Sequence, residues 1–172
     1  TQERVFNSYY SGKNIMCHGV AGTGKTFIAT YLATQEVLSN YNDTRSLHII
    51  RSVVPTRDMG FLPGNQREKS KVYEAPYYAI FSELFDRGDA YEILKGREQV
   101  YFTTTSFIRG LTINDAVVIV DECQNMTYHE LDSIITRLGD NCKIVFCGDF
   151  RQSDFRFQDE RDGVIEFMKV IK

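Results

Sequence analysis

The sequence predicts an α/β fold, a parallel sheet with helices on both faces. Three observations carry it. Strand-like and helix-like segments alternate along the chain. Residues 116–120 (AVVIV) form a continuous apolar run, as a strand covered on both faces requires. A glycine-rich turn joins a strand-like to a helix-like segment near the start. The chain has 172 residues, enough for one domain with a core, and residues 1–172 read as a single domain.

Residues 14–19 (NIMCHG) read as a short strand that runs into the turn, and residues 25–39 as a helix with Phe27, Ile28, Tyr31, Leu32, Val37 and Leu38 as its apolar positions. Residues 47–50 (LHII) are a short buried strand. Residues 55–64 read as a loop punctuated by Gly60, Pro63 and Gly64. Residues 71–94 read as mostly helical, with Tyr77, Ile80, Phe81, Leu84 and Phe85 on one face. Pro76 marks the expected start, because proline suits a first turn and not a helix interior. Residues 100–105 (VYFTTT) are rich in β-branched and aromatic residues and read as a strand. After AVVIV, Thr127 and Glu130 form a capping box that opens a helix with Leu131, Ile134, Ile135 and Leu138, and Gly139 is expected to end it. Residues 143–147 (KIVFC) are another buried strand, and residues 163–171 a last helix.

Composition narrows the function classes. The chain is 42% hydrophobic and 25% charged, ordinary for a globular protein. No apolar run approaches the ~20 residues of a membrane span, and no signal peptide pattern opens the chain. A net charge of −3 argues against a surface that grips nucleic acid everywhere. A local groove is still compatible: residues 51–71 carry Arg51, Arg57, Arg67, Lys69 and Lys71 against Asp58 and Glu68. A solvated loop and helix face is the plainer reading of that stretch. The cysteines are Cys17, Cys123, Cys142 and Cys147, with no CxxC pair. Cys17 and Cys147 lie in apolar strands and read as small core residues, which fits a reducing, cytoplasmic setting.

The chemistry concentrates in three motifs. Gly19, Val20, Ala21, Gly22, Thr23, Gly24, Lys25 and Thr26 fit GxxxxGK[ST] in full, between a strand and a helix, as that motif demands. Its glycines let the backbone fold around phosphates, and the helix N-terminus supplies partial positive charge. Lys25 is expected to reach the β- and γ-phosphates, and the Thr26 hydroxyl to bind magnesium. Asp121 and Glu122 end AVVIV. There Asp121 can hold magnesium, usually through water, and Glu122 can take the proton from an attacking water. Gly148, Asp149 and Gln152 follow KIVFC, at the carboxyl end of a strand where open α/β sheets bind ligands. Gln152 is a candidate to orient the water or sense the γ-phosphate.

These motifs, with Gln124 three residues after Asp121, resemble those of superfamily 1 helicase-type ATPases. GVAGTGKT, GFLPG at residues 60–64, FIRGLTINDA at 107–116, VDECQNMT at 120–127 and GDFRQSD at 148–154 occur in that order. That set is similar to the PhoH family, the phosphate-starvation-inducible ATPases also found in phages. The resemblance covers roughly residues 2–154. GFLPG and RGLTINDA are not general to P-loop proteins, so it is specific. Cys123 stands where many members have alanine, a small-for-small change.

The resemblance implies a RecA-like P-loop fold of one lobe, with the GDxxQ strand between the P-loop strand and the acidic strand. It implies ATP and Mg2+ as the nucleotide and metal. It implies Gln2 as the glutamine that reads adenine, and Gln152 near the γ-phosphate. It implies RNA or single-stranded DNA as a partner, touched by the loop of Thr104, Thr105 and Ser106. A homo-oligomer follows too, a ring such as a hexamer. Without a second lobe, a neighbouring subunit is expected to supply an arginine finger, with Arg51, Arg109 and Arg151 as candidates. Compared with a fuller member, the chain reads as clipped at both ends. Its compactness suggests phage origin and, with it, the host cytoplasm. Two other classes stay open. A P-loop phosphotransferase would need a lid and an acceptor pocket, and no DExQ or GDxxQ. A nucleotide-gated binding module would bind ATP tightly with slow turnover.

Overall fold

Five strands, β1 (Ile15–His18), β2 (Ser46–Arg51), β3 (Val100–Thr104), β4 (Ala116–Asp121) and β5 (Cys142–Gly148), pair in parallel in the order β1-β5-β4-β2-β3. The computed structural model describes residues 2–39, 41–52, 66–149 and 167, with residues 66–70 described for their backbone only. Its helices are α1 (Gln2–Tyr10), α2 (Lys25–Val37), α3 (Gln66–Phe85), α4 (Ala90–Gly96) and α5 (Tyr128–Ile135), with 3-10 turns at Thr105–Phe107 and Cys123–Asn125. The α/β fold expected from the alternation is therefore present. The strand before Gly148 and Asp149 lies between the P-loop strand and the acidic strand, as the resemblance implied.

All six residues of β4 are buried, because the sheet is covered on both sides. Val117 and Ile119 join one core with Tyr9 of α1, Leu32 and Ala33 of α2, Tyr77 and Phe81 of α3 and Tyr91 of α4. Val118 and Val120 join the other, with Leu131 and Ile134 of α5, Met126 and Phe167. Fully burying side chains of this size is worth about 1.5–3 kcal/mol each. The buried stripe of α2 runs through Ala29, Leu32, Ala33 and Val37, so small residues let this helix lie close to the sheet. Tyr31 and Leu38, expected on that face, are partly exposed. Cys17, Cys123 and Cys147 are buried free thiols, in keeping with core cysteines. No described helix is long and apolar enough to cross a membrane.

Two expectations need correction. Pro76 does not start its helix; it lies inside α3, which begins at Gln66. Pro76 and Val72, one turn earlier, are both exposed, so water can satisfy the carbonyl that proline leaves without a donor. The helical stretch then breaks at Asp86, in the left-handed region at φ 51, and resumes as α4. Gly139 does not end α5, which stops at Ile135 with Thr136 as its C-cap. Gly139 instead makes room for Asn114: a Cβ there would lie 1.9 Å from Asn114 Oδ1. The loop expected at residues 55–64 lies outside the described residues. So does the last expected helix, apart from Phe167, which is helical and buried beside Phe146 and Tyr128.

Candidate functional site

β1 hands the chain to residues 19–24, and α2 begins at Lys25. Gly22 and Gly24 take left-handed conformations, φ 76 and 77. A Cβ on either would meet nothing within 4 Å, so the requirement is backbone conformation, not space. No side chain caps α2. The N–H groups of its first turn have no intrahelical acceptor and suit an anion. The loop is tied to the neighbouring strand: the Gly19 N–H donates to the Gly148 carbonyl at 3.3 Å, and the Ala21 N–H to Asp149 Oδ2 at 3.1 Å. Lys25 Nζ donates to the Gly19 and Val20 carbonyls, each at 2.8 Å, which holds the ammonium against the loop.

The carboxyl end of β4 faces this loop. Asp121 is 5% exposed. Its Oδ1 accepts from the Thr26 hydroxyl at 2.7 Å and its Oδ2 from the Tyr77 hydroxyl at 2.6 Å. Burial, followed by the Asp121 charge, pushes the Tyr77 phenol far above its ordinary range, so it stays a donor. Glu122 is in the left-handed region (φ 52, ψ 38) and turns the chain out of the strand. Gln124 Nε2 donates to Glu122 Oε2 at 2.5 Å, while Gln124 Oε1 accepts the Asp149 N–H at 3.1 Å. Arg51 Nη2 lies 4.0 Å from Glu122 Oε1. Asp121, Glu122, Gln124 and Asp149 border, with residues 21–27, a cavity of about 300 Å³.

A magnesium ion fits this donor set. It takes hydroxyl and carboxylate oxygens and keeps phosphate and water ligands, and Thr26 and Asp121 already meet through such oxygens. Among the described residues no group of three or more His, Cys, Asp or Glu side chains could hold a metal.

The remaining sequence candidates are scattered. Gln2 lies on α1 and lines a second cavity of about 530 Å³ that also touches Gly19, Thr23 and Lys25. Thr104 is buried, the Thr105 hydroxyl donates to Glu130 Oε1 at 2.6 Å, and Ser106 is exposed. Of those three hydroxyls only Ser106 faces outward. Arg51 is turned inward onto its own chain: it donates to the Tyr73 carbonyl and its side chain is 22% exposed. Arg109 is exposed. Gln152 and Arg151 lie outside the described residues. Sequence reasoning placed Tyr77 in the core and missed its bond to Asp121, which joins residues 44 apart and leaves no local signal.

A glycine loop between β1 and α2, with an acidic pair at the end of a strand one place beyond its neighbour, defines a P-loop domain of the NTPase-like class. The family model described as PhoH-like protein matches residues 1–172, and the chain belongs to the PhoH family. It is 35% identical to Protein PhoH2 of Bacillus subtilis over 156 residues, covering 87% of this chain and 35% of that protein. It is 37% identical to a PhoH-like protein of Synechocystis over 139 residues, covering 80% of this chain and 42% of that protein. It is 31% identical to Protein PhoH of Escherichia coli (strain K12) over 171 residues, covering 90% of this chain and 48% of that protein. The chain thus matches between a third and a half of the length of these relatives.

Proposed function

We propose that this domain binds ATP with magnesium and hydrolyses it, in a cycle coupled to RNA or single-stranded DNA. The observation that carries the proposal is the 2.7 Å contact between Thr26 and Asp121, with Glu122 next in the chain and the glycine loop opposite. In this reading residues 19–26 hold the phosphates through backbone N–H groups, and Lys25 leaves its carbonyl partners to meet the β- and γ-phosphates. Thr26 and Asp121 hold magnesium, which neutralises phosphate charge when bound. Glu122 accepts the proton of the attacking water. Its side chain is 40% exposed, so water can reach it, and Gln124 steers the carboxylate. Gln152 senses the γ-phosphate, and Gln2, beside the loop at the second cavity, contacts the base.

An arginine finger is worth about 10³–10⁵ in rate. Arg51 is engaged with its own Glu122 and Tyr73, which disfavours it as a donor to another subunit. The exposed Arg109 is the better donor among the described residues, reaching a neighbouring copy in a ring. A second reading, a nucleotide-gated module with slow turnover, draws on the 2.5 Å bond from Gln124, which ties one of the two Glu122 oxygens within the chain. Steady-state ATP hydrolysis, measured with and without single-stranded RNA and DNA, separates these readings. The proposal expects turnover that rises with nucleic acid and with protein concentration. Tight ATP binding with negligible turnover under every condition favours the gated module and overturns the ATPase.

A further inference from the structure

We infer that Tyr77 is a positioning residue for the metal-binding carboxylate: its buried phenol fixes the plane of Asp121 so that the other oxygen faces Thr26. The inference rests on the magnesium site proposed above. A carboxylate as deeply buried as Asp121 needs hydrogen bonds at its oxygens. Two side chains supply them from opposite sides, Thr26 at Oδ1 and Tyr77 at Oδ2. The two donors differ in kind. Thr26 is half-buried on the loop side, and its hydroxyl is the one a metal would claim. Tyr77 is wholly buried, arrives from α3, and has its ring 5.6 Å from that of Phe102 on β3. A tyrosine locked in a core has few ways to move, so its hydroxyl is a fixed point. Once the Thr26 hydroxyl turns toward a metal, Tyr77 is the side chain among the described residues left to stop Asp121 from rotating. Outer partners of this kind typically change metal affinity or activity about 10- to 100-fold when removed.

Tyr77→Phe keeps the ring and deletes only the hydroxyl. The test titrates a fluorescent ATP analogue into the full chain at a series of magnesium concentrations and in EDTA, with a thermal melt of each variant. Tyr77→Phe is expected to match the wild type in EDTA, where the loop alone holds phosphate. The magnesium concentration at half of the metal-dependent gain in affinity is expected to rise at least tenfold. Phe81→Leu, on the same buried face of α3 one turn later, is expected to lower the melting temperature and leave that midpoint unchanged. A wild-type midpoint in Tyr77→Phe overturns the inference, and so does an equal shift in Phe81→Leu, which would mean that any loosening of α3 suffices. A wild-type chain whose nucleotide affinity ignores magnesium overturns the proposed site itself, and that failure appears before any variant is compared.

Discussion

The Thr26 hydroxyl donates to Asp121 Oδ1 at 2.7 Å and so closes the loop after β1 onto the end of β4, a strand that is not its neighbour in the sheet. Everything proposed for this site depends on that closure. It brings a phosphate-type loop and an acidic strand end to one cavity. Thr26→Ala is expected to cost about 1.5–3 kcal/mol of stability through the lost hydrogen bond to a charged carboxylate. The larger effect is on ligand linkage. A ligand at 100 times its Kd stabilises a fold by about 2.7 kcal/mol. Urea unfolding with ATP is expected to show a magnesium-dependent increment in the wild type and none in Thr26→Ala.

Gly148, at the end of β5, lies hard against the acidic turn. A Cβ there would lie 2.7 Å from Cys123 Sγ and 2.9 Å from Gln124 Oε1. Gln124 is the residue that holds both Glu122 and the Asp149 N–H, so it cannot yield without disturbing the site. Gly148→Ala is expected to destabilise the domain by about 1–3 kcal/mol, as overpacking does. Its melting temperature should fall by roughly 2–4 °C per kcal/mol, the scale for a domain of this size. Differential scanning calorimetry measures this directly.

Much of this arrangement is legible in the sequence, because its signals are local. The eight residues from Gly19 to Thr26 carry their own context of strand and helix, and AVVIV states its double burial outright. The capping box at Thr127 is formed as expected, with the Thr127 hydroxyl accepting the Glu130 N–H and the Glu130 carboxylate accepting the Thr127 N–H. Other features depend on distant partners. Helix α1 carries little local signal: Val5, Phe6 and Tyr9 mark its inner face, and their meaning comes from the core they pack into. Pro76 reads as a boundary because its cost is local, while the core contacts of Tyr77 and Phe81 that hold the helix together are not. Tyr77 itself reads as one more core aromatic until Asp121 is placed beside it.

The same capping box supports a test of how α5 is anchored. Glu130 also accepts from the Thr105 hydroxyl at 2.6 Å, so it joins the helix start to the turn after β3. Thr127→Ala is expected to cost about 1 kcal/mol. Thr105→Val, which leaves the cap intact, is expected to cost about 1.5–3 kcal/mol by removing a bond to a charged group. Each is measured by urea unfolding.

Acid should weaken the fold through His48. Its ring is stacked on Tyr101 at 4.7 Å, and burial lowers its pKa from 6.5 to about 4. The folded state therefore favours the neutral ring, and between those two values the unfolded chain binds the extra proton. This contribution is full above about pH 6.5 and is lost as the pH falls toward 4. His48→Gln is expected to flatten the fall in stability across that window, measured by urea unfolding from pH 7 to pH 4.

The most direct test of the central claim is phosphate release from saturating ATP and magnesium by the wild type and by Glu122→Gln, at matched protein concentration with single-stranded RNA present. The carboxamide keeps the size of the side chain and cannot accept the proton. Turnover is expected to fall by about 10²–10⁴-fold, while ATP is still bound. A Glu122→Gln chain that releases phosphate at the wild-type rate would contradict the account, because the proton would then leave by a route that does not use the acidic end of β4.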